Sequence, residues 1–289
     1  MERSASFEIS EELKNKYEAL KQYFVDLGSV AVAFSSGVDS TFLLYTAHEA
    51  LGDKAIAITA VSCSFPKRER DEADAYCKGL GIKHFTVESE ETEIDGFSQN
   101  PPNRCYICKH ALFEKIIAVA KENGIEYVVE GSNLDDLGDY RPGLQAIAEL
   151  KVKSPLREVG FTKQEIRDIS KYLDIPTHNK ASFACLASRF PYGEEITKEK
   201  LAMVEKAEQL LLDLGYKQFR VRIHGKVARI ELLPEDIAGF MKEENRLMIY
   251  DSFKNFGFEY VALDLKGYRT GSMNETLSKE TIDKAKLSK

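Results

Sequence analysis

The chain has 289 residues, 43% of them hydrophobic and 30% charged, with a formal net charge of -7. That length predicts a large domain joined to a smaller one, and the apolar content excludes a disordered chain. The acidic balance excludes broad nonspecific nucleic-acid binding, which rests on lysine and arginine contacts to phosphate, and no run of about 18 apolar residues offers a membrane span.

Met1 to Ser10 lacks the basic-then-apolar pattern of a secretory signal, so a cytoplasmic protein is expected. There the five cysteines are expected as thiols or metal ligands rather than a disulfide framework. Along Glu11 to Leu27, apolar residues at Leu13, Tyr17, Leu20, Phe24 and Leu27 predict an amphipathic helix. Ser29 to Phe34 is short and rich in valine and alanine, as suits a strand buried on both faces of a parallel sheet. A helix is expected over Asp39 to Leu51, ended by Gly52 and Asp53. Strands at Ala55 to Val61, Lys83 to Val87 and Glu126 to Glu130 alternate with helices at Lys67 to Lys78 and Lys109 to Asn123. This alternation predicts an α/β fold with a doubly wound parallel sheet and ligands at the carboxyl ends of its strands. Thr162 and Glu165 form a capping box for a helix over Thr162 to Leu173.

Beyond Phe190 to Gly193 the pattern changes. A helix from Thr197 to Leu214, strands at Phe219 to Ile223 and Val227 to Leu232, a helix from Pro234 and a strand at Tyr260 to Leu265 predict a smaller C-terminal α/β domain. The expected division is 1–190 for nucleotide binding and 191–289 for substrate binding and oligomerisation.

Phe34-Ser35-Ser36-Gly37-Val38-Asp39-Ser40 lies between a buried strand and a helix, where free backbone N–H groups and the positive helix end suit a pyrophosphate. The lysine of a Walker loop is absent. An ordinary polar strand-to-helix turn would use the same residue types. The segment nevertheless resembles the pyrophosphate loop, Ser-Gly-Gly-x-Asp-Ser, of enzymes that split ATP into AMP and pyrophosphate. Ser36 departs from that pattern, and if its φ is positive the serine costs about 1 kcal/mol or more relative to glycine. Asp39 is a candidate for ordering the loop or touching Mg2+, with helix capping as the plainer role.

Cys105-Tyr106-Ile107-Cys108 follows the polar stretch Asn100-Pro101-Pro102-Asn103-Arg104, expected to hold the chain open. Its spacing suits zinc, a redox dithiol or an iron–sulfur cluster. Cys185 is the candidate third ligand; zinc would need a fourth, for which His110 or His178 would serve. Cys63 and Cys77 have no partner spacing and read as small buried side chains.

Several further segments resemble the LarE-type sulfurtransferases: Gly131-Ser132-Asn133-Leu134-Asp135-Asp136, Asp139-Tyr140-Arg141-Pro142-Gly143, Ser188-Arg189-Phe190-Pro191-Tyr192-Gly193, Arg220-Val221-Arg222 and Ala228-Arg229-Ile230-Glu231. The resemblance implies ATP-dependent activation of the carboxylates of a small nucleotide, pyridinium-3,5-dicarboxylate mononucleotide, and their conversion to thiocarboxylates in making the nickel-pincer cofactor of lactate racemase. Members with three cysteines hold a [4Fe-4S] cluster carrying sulfide; others sacrifice a cysteine. Cys105, Cys108 and Cys185 make the chain resemble the cluster type, and a homo-oligomer is expected.

The resemblance marks Gly131 for the nucleotide, and Arg141, Ser188, Arg189, Arg220, Arg222 and Glu231 for the substrate, with Glu231 binding either magnesium or an arginine. Arginine's planar fork suits phosphate and carboxylate, and strand alternation puts Arg220 and Arg222 on one face. A solvated strand face is their plainer reading, and pairing with Asp135, Asp136 or Asp139 is that of Arg141. A transfer-RNA thiolase sharing the loop, an ATP-dependent amide ligase, and a nucleotide-binding or redox-sensing module without turnover are the competing functions; the thiolase would want a basic platform that this acidic chain lacks.

Overall fold

The computed structural model describes residues 8–138, 142–181, 184–269 and 271–278 and forms two compact units. The first takes the chain up to Val61, Lys67–Ser89 and Lys109 to 182; the second takes Ser62–Pro66, Glu90–Cys108 and the chain from 183 on. From the sequence a single boundary near residue 190 is expected. The observed division is discontinuous, because the segments that follow two strands of the first unit belong to the second.

In the first unit, helix α1 (Glu11–Leu27) starts at Ser10, whose side chain accepts from the Leu13 N–H, and buries Leu13, Tyr17, Leu20 and Phe24 on one stripe. Strand β1 (Val30–Ala33), helix α2 (Val38–Leu51), β2 (Ala55–Val61), α3 (Lys67–Leu80), β3 (His84–Glu88), α4 (Arg104–Glu122, of which Arg104 to Cys108 belong to the second unit) and β4 (Tyr127–Val129) follow. Short helices α5 (Gly143–Glu149) and α6 (Pro155–Val159) precede α7 (Lys163–Tyr172), whose Thr162–Glu165 capping box forms as expected.

The sheet is parallel, in the order β3-β2-β1-β4. Strands β1, β2 and β4 are largely buried on both sides, whereas the edge strand β3 is mostly not, and the period of two is visible in the cores. Val30, Val32, Ala55, Ala57 and Val129 pack with α1, α2 and α7. Ala31, Ile56, Ile58 and Val128 pack on the other side with Phe113, Ile116 and Ala120 of α4 and Ile147 of α5. Helices therefore cover both faces, the doubly wound arrangement that near-continuous apolar strands require. The chain runs from β1 outward through β2 and β3, then returns to β4 on the other side of β1. The carboxyl ends of β1 and β4 thus form the switch point where such sheets bind ligands.

In the second unit, α8 (Lys198–Asp213) is capped by Thr197, and β5 (Phe219–His224) and β6 (Val227–Leu232) form an antiparallel hairpin. Helices α9 (Pro234–Phe240) and α10 (Glu243–Phe256) lead to β7 (Tyr260–Leu263), which pairs parallel to β6. Phe219, Val221 and Ile223 enter a core with Leu201, Val204, Leu211, Ile249 and Phe253. The intervening Arg220 and Arg222 are also buried, so the opposite face of the strand is charged yet closed to water.

One expectation changes. Helix α4 begins at Arg104 rather than Lys109, so Cys105 and Cys108 ride on its first two turns instead of an open approach. At a spacing of three they share a helix face.

Candidate functional site

In the first unit, the loop after β1 enters α2 at Gly37. Phe34 is buried and fixed from both sides: its N–H donates to Ile58 O at 2.9 Å, and its carbonyl accepts from Thr59 Oγ1 at 2.9 Å. Ser35 N–H donates to Ser40 Oγ at 3.3 Å, with the two hydroxyls 3.1 Å apart. Ser36 has φ of 52°, a conformation costing an L-residue about 1–2 kcal/mol. The first N–H groups of α2 have no intrahelical acceptor, and they form the positive end of its dipole. Gly131, just past β4, is glycine for a steric reason: a Cβ there would stand 3.2 Å from both Asp39 Cβ and Ser40 N.

Asp39 accepts from Lys163 Nζ at 2.5 Å and Asn133 Nδ2 at 3.3 Å. Asp135 accepts from the Lys163 N–H at 2.9 Å and Asp136 from the Asn133 N–H at 3.0 Å, so the Gly131 to Asp136 motif braces the loop and the start of α7. The lysines absent from the loop itself are supplied from distant sequence. Lys163 reaches Asp39, and Lys180 reaches the Ser36 carbonyl at 3.0 Å. Neither had a signal in the sequence, since each stands more than a hundred residues from its partner.

The three cysteines all belong to the second unit. Cys105 and Cys185 are exposed and Cys108 is half-buried. The Cys108 thiol points to Glu91 Oε1 at 3.4 Å, and the Cys185 thiol to Ser64 Oγ at 3.2 Å. Arg104 Nη2 lies 3.6 Å from Cys105 Sγ, while Nη1 donates to Asn100 Oδ1 at 2.6 Å and Ala187 O at 2.8 Å. Burial, then the charge of Glu91 and the neighbouring Cys185 and Cys105, pushes the Cys108 thiol far up. The protein packed around the Cys185 sulfur pushes its thiol up to about 11 although part of the side chain meets solvent. Burial works against the Arg104 charge, but Cys105 and Cys185 outweigh it and hold that guanidinium above its ordinary value.

Cys63 is half-buried beside this group, and its thiol is raised by burial and then by Glu91. Cys77 is buried, as expected. The donor set suits a thiolate-bound metal or cluster in its chemistry, and the buried Glu91 Oε2 has no hydrogen-bond partner. Among the described residues, however, no three His, Cys, Asp or Glu side chains are already gathered to hold a metal ion. The fourth-ligand candidates have other partners within the first unit: His110 Nδ1 lies 3.6 Å from Glu114, and His178 Nδ1 lies 3.0 Å from Ile175 O.

Cys185 opens the short turn that carries Ser188 and Arg189. Arg189 is fully buried; Nε and Nη2 each meet a Glu208 oxygen at 2.8 Å, and Nη1 donates to Ala184 O, Ser188 Oγ and Cys185 O at 2.8, 2.8 and 3.2 Å. Arg222 donates to Ser188 O at 2.8 Å, Glu231 Oε2 at 3.0 Å and Ser272 Oγ at 2.8 Å, with its buried Nε left over. Arg220 pairs across the hairpin with Glu231 and lies over the Tyr268 ring at 5.1 Å. Burial and the like charge of Arg189 pull the Arg220 guanidinium well below its ordinary value, and burial lowers Arg222 despite Glu231.

Arg189, Arg220 and Arg222 thus share their surroundings with two buried carboxylates, Glu208 and Glu231, leaving a positive excess that an anion would relieve. Of the two roles expected for Glu231, the arginine partner is the one seen: Oε2 meets Arg222, and Oε1 lies 3.2 Å from Arg229. Guanidiniums on both oxygens do not suit a magnesium ion. Arg141 lies outside the described residues. Glu91, Arg104, Glu208 and Ser64 were missed; only Arg104, adjacent to Cys105, had a positional hint.

No family model matches the chain. It is 36% identical over 271 residues to the pyridinium-3,5-bisthiocarboxylic acid mononucleotide synthase of Lactiplantibacillus plantarum, covering 93% of this chain and 98% of that one. An uncharacterized Synechocystis protein is 46% identical over 267 residues, covering 92% of this chain and all of the other. A glutamine-hydrolyzing GMP synthase chain of Archaeoglobus fulgidus is 24% identical over 220 residues, 69% of each chain. With the pyrophosphate loop at the switch point of a parallel sheet, these relatives define an ATP-dependent sulfurtransferase. The chain belongs to the LarE-type family of pyridinium-3,5-bisthiocarboxylic acid mononucleotide synthases. Among the described residues no helix is long and apolar enough to cross a membrane.

Proposed function

We propose that the protein uses ATP to adenylylate the carboxylates of pyridinium-3,5-dicarboxylate mononucleotide, releasing pyrophosphate, and converts them to thiocarboxylates for a nickel-pincer cofactor. The observation that carries this reading is the turn from Cys185 to Arg189, which joins a thiol to the buried Arg189 and Arg222 within one unit. A substrate phosphate or carboxylate held by Arg220 and Arg222 would sit on the same framework as the sulfur source. The loop from Phe34 to Ser40, with Gly131 beside it, would cradle the pyrophosphate of ATP through backbone N–H groups. Asp39 would order that loop through Lys163 and Asn133, or meet Mg2+ brought in with the nucleotide.

Cys105, Cys108 and Cys185 would supply the protein ligands of a [4Fe-4S] cluster once their side chains converge. Such a cluster supplies one iron without a protein ligand, open to external sulfide or another sulfur donor. In this reading the second unit binds substrate, with 191–289 as its main part, and copies of the chain assemble as a cytoplasmic homo-oligomer. The exposed Leu247, Met248 and Tyr250 of α10 support assembly.

The test is anaerobic incubation with ATP, magnesium, sulfide and the pyridinium dicarboxylate nucleotide. AMP, pyrophosphate and a thiocarboxylate product are expected. ADP and phosphate, or no product with any sulfur source, would overturn the reading.

A further inference from the structure

Ser36 adopts the left-handed backbone that the resemblance assigns to glycine, and the protein surrounds it with restraints. Its hydroxyl lies 2.9 Å from Glu69 O and 3.0 Å from Glu69 Oε2. Lys180 Nζ reaches Ser36 O at 3.0 Å, Ser36 Oγ at 3.3 Å, Glu69 Oε2 at 2.5 Å and Glu72 Oε2 at 2.5 Å. Ser36 and Glu69 are buried, and the Lys180 side chain is 17% exposed, so this ammonium is largely withdrawn from water. Lys180 is itself held: Arg167 of α7 donates to Lys180 O at 2.9 Å and to His178 O at 2.7 Å.

We infer that Lys180 is a positioning residue of the ATP site, acting through Ser36 to aim the Gly37 N–H at the pyrophosphate. The inference rests on reading this loop as the ATP site. The physical link is peptide planarity. The Ser36 carbonyl and the Gly37 N–H belong to one trans peptide and point in opposite directions. An ammonium fixed on the carbonyl therefore fixes the direction of the N–H on the other side. A glycine would adopt the left-handed conformation without help. Serine resists it, and the Glu69–Lys180–Glu72 network supplies the restraint that holds it there. Lys180 thus replaces, from outside the loop, a freedom the loop itself lacks.

The experiment measures ATP binding to the purified full-length chain by titration calorimetry for Lys180→Met, Ser36→Gly and the double variant, with thermal unfolding as a folding control. Lys180→Met is expected to weaken ATP binding about tenfold with Ser36 in place, and less than about threefold in the Ser36→Gly background, a coupling that a double-mutant cycle isolates. A lysine that merely stabilised the fold would lower the unfolding temperature without that dependence on residue 36.

Equal weakening in both backgrounds would mean that Lys180 touches the nucleotide itself and would overturn the inference, as would undiminished binding in Lys180→Met. If Lys180→Met folds only together with Ser36→Gly, the coupling is established by folding instead. If it folds in neither background, the role is structural and the inference fails. Failure of the unaltered chain to bind ATP is a separate result that removes the loop reading itself.

Discussion

Glu208 grips Arg189 with both carboxylate oxygens at 2.8 Å, and neither residue meets solvent to any useful extent. The same carboxylate accepts the Val221 N–H at 2.9 Å, tying helix α8 to strand β5 and to the turn that begins at Cys185. Burial opposes the Glu208 charge, but Arg189 outweighs it and keeps the carboxyl below its ordinary value. A folded value below the unfolded one means stability that is present above about pH 4.3, the unfolded value, and lost as pH falls through the folded value. Replacing Glu208 with Gln leaves Arg189 buried without its counter-charge and is expected to cost about 3 kcal/mol or more at neutral pH. Urea unfolding at pH 7 and through the acid range checks both points: the unaltered chain should lose stability with acid more steeply than the variant.

Gly131→Ala tests the close approach between the end of β4 and the start of α2. The added methyl would meet backbone at Ser40 N, which cannot swing aside as a flexible side chain would. ATP affinity should fall about tenfold or more, roughly 1.4 kcal/mol, with a smaller change in unfolding temperature. Calorimetric titration with ATP measures it; unaltered affinity would show that the loop tolerates displacement.

Cys105, Cys108 and Cys185 should act as a set. Protein reconstituted anaerobically with iron and sulfide is expected to carry about four irons per chain with broad brown absorbance, and serine at any of the three should lose most of it. Serine at Cys77, which is buried in the first unit's core, should not. Iron retained by all three site variants would remove the cluster from the proposed mechanism.

Arg222→Lys keeps the charge and loses the fork. One ammonium cannot reproduce the bonds to Ser188, Glu231 and Ser272 while also presenting a donor to an anion. KM for the nucleotide substrate should rise at least about tenfold with KM for ATP little changed. Steady-state kinetics varying each substrate separately would reveal the split, and a parallel rise in both would point to a general loss of structure.

Much of this organisation was readable from spacing. The stripe of α1, the strand at Ala55–Val61 and the capping box of Thr162 follow from local periodicity and local hydrogen bonding, and the structure reproduces them. The loop at Phe34 to Ser40 was readable because a strand, a glycine and a helix start must be neighbours in sequence to form it. The start of α4 was misjudged because Pro101 and Pro102 read as breakers, whereas they precede the helix and leave Arg104 free to begin it. Lys163, Lys180, Glu91 and Glu208 could not be found that way. The lysines have partners more than a hundred residues away and the glutamates have theirs in other elements, and a lysine or glutamate on a polar stretch looks the same in sequence whether it faces water or a buried oxygen.

Strand β5 sends Phe219, Val221 and Ile223 one way and Arg220 and Arg222 the other. A slip of one residue against β6 would drive guanidiniums into the apolar core and turn phenylalanine toward Glu231 and its arginine partners. Correct pairing of this hairpin and burial of the two arginines are therefore a single event, so a misregistered fold would lose solubility together with the proposed anion site.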